Sequence, residues 1–262
     1  MKDVVRKRWI VCCALASCIV LVIGWYLREP NTFTFTVDMP SGFRYKASVY
    51  YVPAPGEICT VDTKDNKAPV FNYWWREDYK PDSKIVIRRV RNNCPLVVHN
   101  IKLKIHAIYG EDRGDSSFAR AQIVVKEALG EIDKESFDAA GESVFYGECE
   151  WLFRTSGSKR RIVKLLNCKD VNVGRPSTRG GPVAGYTLDQ LPGKTVKMKI
   201  NVAEEERPAV GDTWVKFENG WKRCMGDSFE DQYAFCRGNN KGFSSFIMPD
   251  GKQCTIYPGC TE

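Results

Sequence analysis

The chain holds two histidines, His99 and His106, so any chemistry that needs an imidazole must use one of them. A Ser-His-Asp arrangement requires such a base and a nucleophile presented on a sharp turn. No Gly-x-Ser-x-Gly elbow occurs. Placed on one extended strand, the two rings stand about 23 Å apart and cannot share a metal. Each reads as a surface histidine, His106 from the polar face of its strand. Carboxylate pairs are the other route to acid–base catalysis, because glycoside hydrolysis needs only two acids. Glu218, Asp227, Glu230 and Asp231 lie among aromatics in "ENGWKRCMGDSFEDQY", where solvated turn acids are the simpler reading. The glycines from Gly174 to Gly181 lack P-loop spacing and the Lys-Ser/Thr that follows it. No catalytic constellation emerges, and the expectation is a protein that is not an enzyme, with no cofactor and no metal.

The cysteines offer a different chemistry. Cys12, Cys13 and Cys18 sit in an apolar N-terminal run, and eight lie beyond it. An even set in an exported chain reads as disulfides. "ESVFYGECEWLFRTSGSKRRIVKLLNCKD" is two β-rich runs about a Gly-centred turn, and folding it at residues 158–159 sets Cys149 opposite Cys168. Proximity pairs the rest as Cys59–Cys94, Cys224–Cys236 and Cys254–Cys260. No Cys-x-x-Cys spacing occurs among the eight, which weakens a zinc reading.

What remains for binding is aromatic. "FNYWWREDY" places Tyr73, Trp74, Trp75, Arg76 and Tyr79 in the stretch between Cys59 and Cys94, and Trp221 stands near the C-terminus. Tyr, Trp and Arg dominate binding hot spots. Adjacent Trp74 and Trp75 point to opposite faces of a strand, so one in the core and one against a loop is the plain alternative. A sugar-stacking platform is a third.

These residues must be positioned by an exported domain. Trp9 to Leu27 is 19 residues without a charge, long enough as a helix to span about 28 Å. Lys2, Arg6, Lys7 and Arg8 precede it against Asp3, which predicts a cytoplasmic N-terminus over residues 1–8 and an inner-membrane anchor over 9–27. Leu-Ala-Ser-Cys, ending at Cys18, resembles a lipobox, so a lipoprotein is one alternative, and a cleaved secretory signal is the other. The apolar run continues past Cys18, which favours the uncleaved anchor.

Beyond the anchor most segments alternate with period two and predict strands: Thr32 to Met39, Tyr45 to Val52, Lys84 to Val90, Asn100 to Ile108 and Lys194 to Val202. Asp115 to Gly130 is ambiguous, with a strand expected at Gln122 to Lys126 and a helical turn afterwards in "DKESFDAAG". Val173 to Gly185 reads as a loop. The fold expected is mainly β: an antiparallel sandwich, immunoglobulin-like or related, over residues 28–203. A cysteine-rich C-terminal region follows over 204–262, with hairpin signals at "ENG" and "PDG".

The chain carries 39 Lys and Arg against 32 Asp and Glu, and without the residues ahead of the anchor these become 35 and 31. No continuous basic run marks nucleic acid as a partner, and "KRR" at Lys159 to Arg161 reads as a hairpin end. The absence of any Asn-x-Ser/Thr sequon leans towards a bacterial periplasm. "VDMPSGFRYKASVYYVPAPGEICTVD", "CPLVVHNIKLKIHAIYG" and "GDTWVKFENGWKRCMGD" together resemble envelope-anchored immunity proteins of type VI secretion phospholipase effectors. The resemblance implies a protein that meets an incoming toxin at the periplasmic face and occludes its active site. A structural or assembly subunit of an envelope machine, or a carboxylate-based cell-wall hydrolase, are the alternatives.

Overall fold

Alternating side chains set the first two strands, each with one face in and one face out. In β1 (Thr32–Asp38), Phe33, Phe35 and Val37 are buried; in β2 (Phe43–Pro53), Tyr45, Ala47, Val49 and Tyr51 are. The computed structural model describes residues 30–59, 70–72, 83–171 and 180–261. Its further strands are β3 (Val70–Asn72), β4 (Ser83–Val86), β5 (Arg88–Arg91), β6 (Cys94–Ile108), β7 (Ser116–Lys126), β8 (Glu142–Ser156), β9 (Arg161–Asp170) and β10 (Val183–Thr187). They continue with β11 (Thr195–Val202), β12 (Arg207–Pro208), β13 (Trp214–Phe217), β14 (Gly220–Cys224), β15 (Phe243–Ser244), β16 (Phe246–Ile247) and β17 (Gln253–Cys254). No helix occurs among the described residues, and none there could cross a membrane; Trp9 to Leu27 lies outside them.

One main sheet runs β17-β16-β9-β8-β11-β1-β4 with β12 beside β8; the other runs β10-β7-β6-β2-β3 with β5 beside β6. Their buried faces share a core that joins Phe33, Phe35, Phe145 and Met198 of the first to Tyr45, Ile101, Ile105 and Ile123 of the second. Phe35 and Tyr45 meet across it edge to face at 5.9 Å.

The purely antiparallel expectation needs correction. β2–β6–β7 and β8–β9 are antiparallel, but β1–β11, β11–β8 and β10–β7 run parallel. Alternation shows which face is wet; it carries no information on the direction of a neighbour brought in by a long connection. The stretch Lys84 to Val90 is also two strands. β4 pairs with β1 in one sheet and β5 with β6 in the other. The chain changes sheets at buried Ile87, whose N–H donates to the Asn31 carbonyl and whose carbonyl accepts from Val98.

β7 begins at Ser116 rather than Gln122, because Ala119, Ala121, Ile123 and Val125 continue one inward face against β6. No helical turn forms in "DKESFDAAG". Its backbone is captured elsewhere: the Glu135 N–H donates to Gly185 and the Asp138 N–H to Glu142, while Phe137 packs on Tyr186 at 5.3 Å. In the loop expected from Val173 to Gly185, the last residues belong to β10, and 172–179 lie outside the described residues.

The disulfides are Cys59–Cys94, Cys149–Cys168, Cys224–Cys236 and Cys254–Cys260, with Cys149 and Cys168 facing each other across β8 and β9. β8 has 15 residues, about 50 Å of extended chain, and with β9 it runs on beyond the shared core. There Phe153 and Ile162 seed a second core with Trp214, Phe246 and Tyr257. The chain after residue 203 is therefore continuous with the first sheet, to which it adds β12, β16 and β17. Turns at Glu218–Asn219 and Pro249–Gly251 close the two C-terminal hairpins.

Candidate binding loop

Tyr73, Trp74, Trp75, Arg76 and Tyr79 lie outside the described residues. Trp221 is half-buried in the second core, 6.0 Å from the Phe153 ring, under the Lys216 ammonium at 5.6 Å, with its backbone paired to Tyr257. Its free edge lines a recess of about 410 Å³ with Trp214, Leu152 and Arg207.

The four acids of this region are dispersed. Glu218 is in the β13–β14 turn, and Asp227 pairs with exposed Arg237 at 3.1 Å. A hydrogen bond from Ser228 holds the Glu230 carboxyl below its ordinary range, and backbone N–H groups, that of Ala234 foremost, do the same for Asp231. Both shifts run opposite to what a general acid needs at neutral pH. Among the described residues no group of His, Cys, Asp and Glu could hold a metal ion.

What sequence reasoning missed is a pair of buried arginines. Arg160, in the β8–β9 turn, is 1 % exposed. Its guanidinium donates to the carbonyls of Cys224, Met225, Ser228, Phe229 and Asp231 and to the Ser244 hydroxyl. Arg223, on β14, donates to Thr155 Oγ1 and to the carbonyls of Thr213, Gln232, Tyr233 and Ala234. Each of these acceptors is a carbonyl or hydroxyl, so the N–H groups of both forks are spent on holding the fold together, chiefly its backbone. Burial lowers both; with Arg160 beside it, Arg223 comes down to about 10 and is still charged at neutral pH.

The backbone so held is the loop from Met225 to Phe235, closed at its base by Cys224–Cys236. It contains a left-handed Ala234 at φ 43°, and Gly226 at φ 72°, where a Cβ would overlap Asp231 and Ala234. Such conformations persist only when the surroundings over-determine them. The loop turns its aromatics outward. Tyr233 is 71 % exposed and lies flat on Phe235 at 6.0 Å; Phe229 is 40 % exposed over the Arg160 guanidinium at 4.9 Å. The Asp227–Arg237 pair stands beside them. This is an aromatic cluster of the hot-spot kind, on a loop that has little freedom left to lose. "KRR" and "WKRC" were the only signal of the two arginines that hold it, and neither distinguishes a buried arginine from an exposed one.

A second surface spans the outside of β2, β6 and β7. Cross-strand register sets Lys46, Lys104 and Arg120 in one row and Arg44, His106 and Phe118 in the next, and the outward positions of these strands hold no acid. A basic row built across strands is invisible to a scan along the chain. His106 is on the expected face but is not a surface histidine. It is 4 % exposed, 4.6 Å from the Phe118 ring, and its Nδ1 accepts from Arg44 Nε at 2.9 Å. Burial, then Arg44 and Lys104, lower its pKa, so the ring stays neutral. His99 is exposed.

Comparison with protein-family models, with curated proteins and with solved structures finds no match.

Proposed function

We propose that this chain is a non-enzymatic binding protein, anchored in the bacterial inner membrane by residues 9–27, with the bulk of the chain in the periplasm. There it binds and occludes a secreted antibacterial effector of the lipase type. The observation that carries the binding part is the Met225–Phe235 loop, an exposed aromatic cluster fixed by two buried guanidiniums and a disulfide. A loop ordered before contact spends little of its interaction energy on ordering itself. Phe229, Tyr233 and Phe235 fill a cleft on the partner, with Asp227 and Arg237 at the rim. The lipase class and the periplasmic setting come from the resemblance and from the charge bias around the apolar run. A sandwich, immunoglobulin-like or related but with parallel pairs in its sheets, belongs to the same proposal, and the core shared by the two main sheets supports it.

Cells challenged with such an effector provide the test. The native full chain is expected to protect them. Phe229→Ala combined with Tyr233→Ala is expected to lose at least about 2 kcal/mol of binding and to fail to protect while remaining folded, with a melting temperature lowered only by the loss of the Phe229 ring from Arg160. Full protection by the double variant removes the loop from the account.

A further inference from the structure

The end of the molecule where the described chain begins has a distinct chemistry. β5 carries Arg88, Arg89 and Arg91 within four residues, with Val90 between them 73 % exposed. Ile58 is fully exposed. It is held nearby, since Cys59 is joined to Cys94, which pairs with Arg91 across the β5–β6 turn.

The chain enters this end directly. The Asn31 side-chain amide donates to the Arg88 carbonyl at 2.8 Å, its Oδ1 accepts the Arg88 N–H at 2.8 Å, and its backbone carbonyl accepts the Ile87 N–H at 3.0 Å. Pro30 and Asn31 line one recess with Arg88, Arg89, Val90 and Asp189. The uncharged run ends at Leu27, four residues before Asn31, and four residues reach at most about 14 Å. If that run spans the bilayer, Asn31 and the β5 residues bonded to it lie within about 14 Å of the hydrocarbon edge, within reach of a headgroup layer about 5–8 Å deep on each side.

We propose that the β5 edge rests on the bilayer, with Arg88 and Arg91 against anionic phospholipid headgroups and Val90 and Ile58 dipping between them. This rests on the anchor reading. Basic side chains beside a membrane segment are drawn to anionic lipid, and apolar tips at the interface add buried area. Among the described residues, Glu57, next to Ile58, and Asp189, across the recess, are acids at this end; Asp189 is engaged by Thr187. The contact fixes how the domain stands on the membrane and leaves the distant binding loop unhindered.

The test uses the full chain in nanodiscs of phosphatidylglycerol or of phosphatidylcholine, read by hydrogen exchange of the amides of residues 87–93. Exchange is expected to be about fivefold slower in phosphatidylglycerol, and Arg88→Gln with Arg91→Gln is expected to abolish the difference. Equal exchange of the unaltered chain in the two lipids, while it stays in the discs, overturns the docking and leaves the anchor standing. Extraction of the chain from vesicles by alkaline carbonate overturns the anchor, and the docking with it.

Discussion

At the scale of single residues, the most consequential feature is that two arginines serve as internal scaffolding. A buried guanidinium is costly unless its donors are all used, and Arg160 and Arg223 use most of theirs on carbonyls of one loop. Replacing Arg160 leaves those carbonyls without their donor. Arg160→Met is therefore expected to cost at least about 3 kcal/mol and to open the Met225–Phe235 loop to protease. Arg160→Lys is expected to recover little, since an ammonium cannot reproduce the planar fork. Thermal melting and limited proteolysis check both variants; a native melting temperature with an intact loop would contradict the scaffolding role. Little of this was legible in the sequence, where an arginine at a hairpin end reads as exposed. His106 teaches the same lesson: its face was predictable, but Arg44 and Phe118, which cover it, come from neighbouring strands.

At the scale of elements, most of the longer strands were legible, while the start of β10, the full length of β7, the break between β4 and β5, and strand direction were not. The alternation of β1, β2, β6 and β11 marks their inner faces well, and the turn residues at Asn219–Gly220 and Asp250–Gly251 place two hairpins. Parallel pairing and the change of sheet at Ile87 depend on contacts far apart in the chain. One such long-range tie has a measurable consequence. Glu150 on β8 accepts from Arg207 on β12, and from Asn167 at 3.0 Å and Lys169 at 2.9 Å on β9. Burial opposes ionisation of Glu150, but these three partners outweigh it and hold the carboxyl down at about 2, from an ordinary value of 4.5. The unfolded chain takes up this proton first. The contribution to stability is thus complete above about pH 4.5 and is lost as pH falls towards 2. Chemical denaturation as a function of pH is expected to show that loss, and Glu150→Gln to flatten it. An identical slope in the variant would show that the tie contributes nothing.

At the scale of the whole molecule, three regions carry the proposed function: an apolar run, a basic edge at β5, and a rigid aromatic loop on the second core. The cysteines were the most legible of these features, because Cys149 and Cys168 follow from hairpin symmetry and the others from proximity. The binding loop was legible only as a region, since "CMGDSFEDQYAFC" shows aromatics between cysteines but not which of them face solvent. The central claim is that this surface occludes a lipase-type effector in a one-to-one complex. The direct measurement is titration of the effector's lipase activity with the full chain in detergent. The account predicts a linear fall to zero at equal molar amounts, and a chain bearing Phe229→Ala and Tyr233→Ala that no longer inhibits. Lipase activity unchanged by an excess of the native chain would contradict it.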